Sequence, residues 1–335
     1  MTELYPIKFE PVLKDKIWGG NILVKNWGKK ADQTRLIGES WELSAVQENL
    51  SVVSNGFLAG NNIEEIIEVY MGDITGEVVF ERYGNEFPLL IKFIEAKQDL
   101  SVQVHPDDKI ARERHNAYGK NEMWYILENE PDSKIYTGFT HPINKDIFNN
   151  ALSEGKLISL INTEIAECGD VFFTPAGRIH AIGSGNVLVE IQQTSDITYR
   201  IYDWDRKDNN GISRDLHLEL ALDAIDYKAS GINKIRKELT PDKTENLLSS
   251  PDFHTNILQF GGLIRKDYNI VDSFIIYICI EGEFIIHWEK GAEIVTKGET
   301  VLLPAIITDV VLEPRPEAKV LEVFINTGNI QNRTY

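Results

Sequence analysis

The chain has 335 residues, a formal net charge of −18 and 42% apolar residues, enough for a sizeable core. That acidic excess argues against a nucleic-acid partner, and it means that an anionic ligand would need a few local Lys or Arg side chains to hold it. Apolar runs such as 274–280 are far too short for a bilayer, the start Met1-Thr2-Glu3-Leu4-Tyr5-Pro6 lacks a signal-peptide pattern, and two distant cysteines, Cys168 and Cys279, make no disulfide framework, so no membrane partner and a cytoplasmic location are expected.

From the N-terminus, residues 39–44 read as a strand, and 62–70 follow with Ile63, Ile66, Ile67 and Tyr70 at helical spacing. Residues 89–94 read as a strand again. The segment Leu100-Ser101-Val102-Gln103-Val104-His105-Pro106 comes next. On a strand, residues two apart share a face, so Ser101, Gln103 and His105 would project together while Val102 and Val104 pack the other side. Three polar groups aimed into a barrel need partners. A metal ion would satisfy two of them; a solvated strand face or a satisfied core histidine would also explain the spacing. In Gly119-Lys120-Asn121-Glu122-Met123-Trp124-Tyr125, an extended chain puts Lys120 and Glu122 on one face. A carboxylate beside an imidazole suits zinc or a related divalent ion, although a Lys and a Glu also sit commonly on a surface strand.

Residues 123–127 continue that strand, and 144–161 return to helical spacing through Ile147, Phe148, Ala151 and Leu152. Residues 170–173 form a strand inside a longer frame in which Gly169, Pro175 and Gly177 precede His180. A tight turn, a strand and a Pro-Gly corner would aim His180 back into a barrel as a ligand. Residues 187–191 read as a strand and 216–225 as a helix, with Leu216, Leu220, Ala221 and Ala224 on one side. The charged stretch 226–252 contains two prolines and reads as a connection. Beyond the strands 274–280 and 283–288, Gly298-Glu299-Thr300-Val301-Leu302-Leu303-Pro304 repeats the pattern of Gly169–Pro175 and suggests a duplicated unit. In that register Asp309 stands where His180 does, and the two upstream strands hold one histidine, His287, with no His-x-His or Gln-x-His pair. Many short strands with turn signals between them predict a mainly β chain built as a sandwich or barrel.

Gly169–His180 resembles the second motif of the cupin superfamily. Leu90-Ile91-Lys92-Phe93-Ile94-Glu95-Ala96 through Ser101-Val102-Gln103-Val104-His105-Pro106 resembles the signature of type I mannose-6-phosphate isomerases. So do Gly119-Lys120-Asn121-Glu122, the block from Gln192 to Arg206, and the opening Ile17-Trp18-Gly19-Gly20. The blocks stand in the family's order and run from near the N-terminus to about Asp223, more loosely beyond; length and repeat resemble its short bacterial branch. Gln103 replaces the first His of the general cupin pair, Ser184 stands where the general motif often has Asn, and Asn121 where larger members have Pro. None of these departures removes a proposed ligand.

The resemblance implies two cupin (jelly-roll) β-barrels with helical inserts. Residues 1–225 would be the catalytic domain, with inserts at about 62–70 and 144–161; 226–252 would be a linker and 253–335 a second, metal-free barrel. It implies one Zn2+ per chain held by Gln103, His105, Glu122 and His180. Arg200, Lys120 and Asp196 would be catalytic, and Lys92, Ser101 and Trp18 would bind substrate. On a strand, Asp196 would share the face of Arg200, four residues on. The implied substrate is a small sugar phosphate, and the implied reaction interconverts mannose 6-phosphate and fructose 6-phosphate by moving a proton between C1 and C2 through an enediol. The alternatives are a non-catalytic sugar-binding cupin, an isomerase for another aldose, and a cupin oxygenase or epimerase. A complete ligand set with Lys92 and Arg200 argues against the first, and an oxygenase would want more imidazoles and a redox-active metal.

Overall fold

The computed structural model describes residues 3–32, 34–208, 210–228 and 234–330. Met1 and Thr2, residues 229–233 of the expected linker and 331–335 of the expected second domain lie outside the described residues. The fold is mainly β, as expected, and the strands among the described residues form sheets of nine, seven and five members. Among the described residues, no helix is long and apolar enough to cross a membrane, and Cys168 and Cys279 are both free thiols.

The seven-stranded sheet is the middle layer. Leu89–Ala96 and Asn186–Gln193 pair antiparallel along their whole length, from Leu89 opposite Gln193 to Ala96 opposite Asn186, and all their side chains are buried. Strands buried on both faces must be sandwiched between two layers. One face shares a core with the nine-stranded sheet: Leu89, Ile91 and Phe93 join Phe274, Ile276 and Leu302, and the rings of Phe87 and Phe274 lie 4.4 Å apart. The other face packs Ile94, Trp124, Phe172 and Leu188 against Ile135 and Ile182 of the five-stranded sheet. The outer face of that third sheet, with Val102, Val104 and Ile179, is covered by helices Lys145–Ser153 and Leu218–Ala224 through Phe148 and Ala221. Each large apolar side chain buried this way contributes roughly 1.5–3 kcal/mol.

Local sequence explains where the helices start and stop. Ile63–Tyr70 opens on a capping box between Asn62 and Glu65 and follows its predicted span. The helix predicted over 144–161 covers only Lys145–Ser153. Gly155, at φ +67°, ends it, and Leu157–Leu160 form a short 3-10 turn before strand Ile161–Ile165. The helices Glu77–Tyr83 and Asp108–His115 were not expected.

Four observations describe how the C-terminal half is built and how it meets the rest of the chain. The first strand, Ile7–Glu10, pairs with Thr300–Leu303 and with Val52–Val53, and so adds N-terminal residues to the nine-stranded sheet. The expected linker supplies strand Thr244–Ser249, which pairs with His254–Phe260 in that same sheet. Residues 274–288 form one long strand, Ile275–Trp288, bulged around Gly282, rather than two. Asp309 does begin a strand, as His180 does, but its side chain is exposed and Val310, 3% exposed, turns into the core instead.

The repeated sequence pattern has a matching turn in the backbone. Gly169 N–H donates to Ile126 O while Ile126 N–H donates to Asp170 O; Gly298 and Cys279 repeat this exchange, with Cys279 N–H donating to Glu299 O. Both glycines have positive φ, +89° and +86°. Across the paired strands Trp124 faces Glu190, and the corresponding positions Tyr277 and Glu322 also face one another.

Candidate metal centre

Three separate segments carry the candidate ligands, and backbone hydrogen bonds tie them together. Gln103 lies on strand Val102–Val104 directly opposite His180 on strand His180–Ile182. Glu122 begins strand Glu122–Asn129 and pairs with Thr174, just before the Pro-Gly corner. Gly177 N–H donates to His105 O (2.9 Å), and Lys120 N–H donates to Pro106 O (3.1 Å). Gly177 takes φ +84°, and a Cβ there would press on Ala224 O at 3.0 Å, so the corner both needs glycine's backbone freedom and lies tight against the helix end beneath it.

His105, Glu122 and His180 are all buried, and one donor atom from each lies within 4.8 Å of the others. His105 Nε2 is 3.4 Å from Glu122 Oε2, and His180 Nε2 is 3.2 Å from Glu122 Oε1. Four ligands at ~2.1 Å from zinc are about 3.4 Å apart, so the spacing fits such an ion. Each histidine donates its Nδ1–H to a backbone carbonyl, His105 to Ile197 O and His180 to Arg178 O, both at 2.9 Å. This fixes the tautomer that leaves Nε2 with its lone pair facing inward. Gln103 closes a further side, its amide nitrogen 3.2 Å from His180 Nε2. His105 Nε2 and both Glu122 oxygens are buried without a well-formed hydrogen bond among the described residues. Buried acceptors of this kind are costly unless a cation satisfies them.

The electrostatics suit the same occupant. Burial, with some help from Lys120, lowers the His105 pKa, and burial pushes His180 down to about 3; both imidazoles are therefore neutral and able to donate to a metal. Burial alone would raise the Glu122 pKa, but the Lys120 ammonium, 3.2 Å away, holds it well below the usual range. The residues present thus fit a divalent ion.

Of the proposed ligands only Gln103 lines a cavity of about 340 Å³, with Glu122 reached behind Lys120, and all the other predicted site residues line it: Trp18, Lys92, Ser101, Lys120, Asp196 and Arg200. Two of them differ from expectation. Asp196 is exposed in the loop before strand Tyr199–Tyr202, not on the strand with Arg200. No ion pair joins them among the described residues, and Arg200 donates from Nη1 to Asp215 O (2.8 Å). Lys92 is not free for a ligand: its Nζ donates to Glu190 Oε1 (2.9 Å) and Gln192 Oε1 (2.7 Å). Lys14, Lys16, Glu39, Trp41, Glu190 and Arg214 also line the cavity and were not singled out from sequence. Lys14, Lys16 and Trp18 alternate along strand Val12–Gly20, and that two-residue spacing was the available signal. Glu39 accepts from Trp41 Nε1 (2.7 Å) and meets Lys16 at 3.1 Å.

Residues 7–151 match the family profile described as phosphomannose isomerase type I, catalytic domain. The chain is 34% identical over 308 residues to the mannose-6-phosphate isomerase ManA of Bacillus subtilis (strain 168), covering 89% of this chain and 93% of that one. It is 32% identical over 307 residues to the mannose-6-phosphate isomerase of Streptococcus mutans serotype c, covering 90% and 93%. The crystal structure of the mannose 6-phosphate isomerase from Bacillus subtilis superposes with a TM-score of 0.84 at 30% identity, over 96% of this chain and 99% of that one. A mannose 6-phosphate isomerase crystallised with zinc and yttrium shares the fold at 16% identity, with a TM-score of 0.75 over 96% and 100% of the two chains.

Proposed function

The chain belongs to the mannose-6-phosphate isomerase family, and from that premise we propose that it interconverts mannose 6-phosphate and fructose 6-phosphate with one zinc ion per chain, held by Gln103, His105, Glu122 and His180. The observation that carries this reading is the convergence of three buried donor side chains, within 4.8 Å, beside a cavity edged by Lys120 and Arg200. When bound, the ion would supply Lewis-acid stabilisation of negative charge on the sugar's carbonyl oxygen. The protein's own groups do the rest. Arg200 presents a planar donor fork to the enediolate or the phosphate. Lys120 lies between the cavity and Glu122 and holds or moves a proton there. Asp196 accepts hydrogen bonds at the rim, and Trp18 and Ser101 shape the sugar site. Lys92, engaged by Glu190, orients that carboxylate toward sugar hydroxyls.

Residues 1–225 and 253–335 are read as two related β units of which only the first holds metal. The two free cysteines accord with a cytoplasmic location. The test is a coupled assay on mannose 6-phosphate with and without chelator. Turnover should vanish on chelation and return with added Zn2+; activity that survives complete metal removal, or that is confined to an unphosphorylated aldose, would overturn the assignment.

A further inference from the structure

Asn121 stands between Lys120 and Glu122, and all four of its polar groups are engaged. Its N–H donates to Gln193 Oε1 (2.8 Å) and its carbonyl accepts from Gln193 N–H (3.2 Å). Its side-chain oxygen accepts from Ala176 N–H (2.8 Å), inside the corner that leads to His180. Its Nδ2 donates to Asp252 Oδ2 at 2.6 Å. Asp252 is 2% exposed and comes from the C-terminal half. Ser250 Oγ accepts from the N–H groups of both Asp252 and Phe253, and Phe253 is fully buried in the core shared by the nine- and seven-stranded sheets. The carboxylate is therefore presented from a fixed turn. A charge-assisted bond of this length is stronger than a neutral one, and an amide held at both ends has one orientation.

We propose that Asp252 is a positioning residue for the metal centre: through Asn121 it sets the distance between the strand that begins with Glu122 and the turn that carries His180. The C-terminal half, which supplies no ligand in our reading, then tunes the site from outside. This inference rests on the metal-centre reading above. Partners beyond the ligands fix ligand geometry, and losing one weakens metal binding.

The test uses the full chain loaded with Co2+, with the visible absorption spectrum recorded and affinity measured by chelator competition. Asp252→Ala and Asn121→Ala should each weaken Co2+ binding by about tenfold and change the cobalt bands. The double variant should bind no worse than the weaker single, because both act through one bond. Asp252→Asn still offers an acceptor oxygen to Asn121 and should recover affinity to within about twofold of wild type. If Asp252→Ala does not fold, Asn121→Ala and Asp252→Asn carry the comparison. A merely structural role would lower the melting temperature of the metal-free variants and leave affinity and spectrum unchanged, which would overturn the proposal. His180→Ala separates the two readings. If wild type binds Co2+ and His180→Ala does not, while the 121 and 252 variants match wild type, only this inference falls. If wild type and His180→Ala bind alike, the metal-centre reading falls and takes this one with it.

Discussion

A histidine buried in neutral form excludes protons that the unfolded chain accepts. His180 titrates at about 3 in the folded protein against 6.5 for an ordinary imidazole, because burial disfavours its charged form. Between those values the unfolded chain binds the extra proton, so stability falls as pH falls. Glu122, held below its ordinary 4.5 by Lys120 against the effect of burial, shifts stability in the same direction. In metal-free protein the urea midpoint should be level above about pH 6.5 and decline from there toward about pH 3; a profile flat across that window would contradict the burial argument. Arg200 lies outside the ligand set, so Arg200→Lys should reduce kcat on the order of 10²-fold while zinc content, by elemental analysis, stays at the wild-type value. Normal turnover would leave Arg200 a structural part, and lost zinc would merge roles we have kept apart. The convergence of His105, Glu122 and His180 was partly legible in sequence, because two-residue alternation and the Gly-Pro-Gly frame before His180 are local signals, whereas the set as a whole came from the family resemblance. Glu190 and Glu39 were not, because what gives each its place, Lys92 for one and Lys16 for the other, comes from a distant stretch of chain.

The two repeated turns offer a comparison at the level of the strand. Gly169 and Gly298 share a left-handed φ, and any other residue there costs about 1–2 kcal/mol. Their surroundings differ. A Cβ on Gly169 meets only Tyr125 Oη, at 3.9 Å, whereas on Gly298 it would strike Trp27 O at 2.3 Å. Gly169→Ala should therefore cost little more than the conformational term, and Gly298→Ala should be clearly the more destabilising in urea unfolding; equal losses would mean that the close approach yields freely. The repeat could be read from sequence because the turn requires glycine at both places. Helix ends were harder to read. Leu157, Ile158 and Leu160 extend the apolar spacing of 144–161 past the point where Gly155 has already ended the helix, so periodicity alone ran too far. Sequence register aligned Asp309 with His180, and both begin a strand, but Asp309 is exposed and Val310 is the buried neighbour.

Across the whole molecule, a buried lysine held by an ion pair within the N-terminal half reaches a carbonyl of the C-terminal half. Lys29 Nζ lies 2.7 Å from Glu42 Oε1 and donates to Gly298 O at 2.6 Å, with both side chains almost fully buried. Lys29→Met would leave the Glu42 carboxylate without its cation and should cost about 3–5 kcal/mol in unfolding free energy, most of it recovered in Lys29→Met/Glu42→Leu. A single variant as stable as wild type would show that the pair contributes nothing. Asp309→Ala, by contrast, removes only an exposed carboxylate and should leave zinc stoichiometry and turnover unchanged; a second zinc lost with it would place a metal in the C-terminal half. Sheet membership was not legible in sequence, since no local pattern says which sheet a strand will join. That is plainest for Ile7–Glu10, whose Ile7 lies opposite Leu302, about 295 residues away. Val52–Val53 can pair with one edge of that strand early, but synthesis at ~5–20 residues per second keeps its other edge waiting roughly 15–60 s for Thr300–Leu303. Through that interval the emerging polypeptide carries an unpaired apolar edge, so its yield in a cell depends on what shields that edge before the last strands arrive.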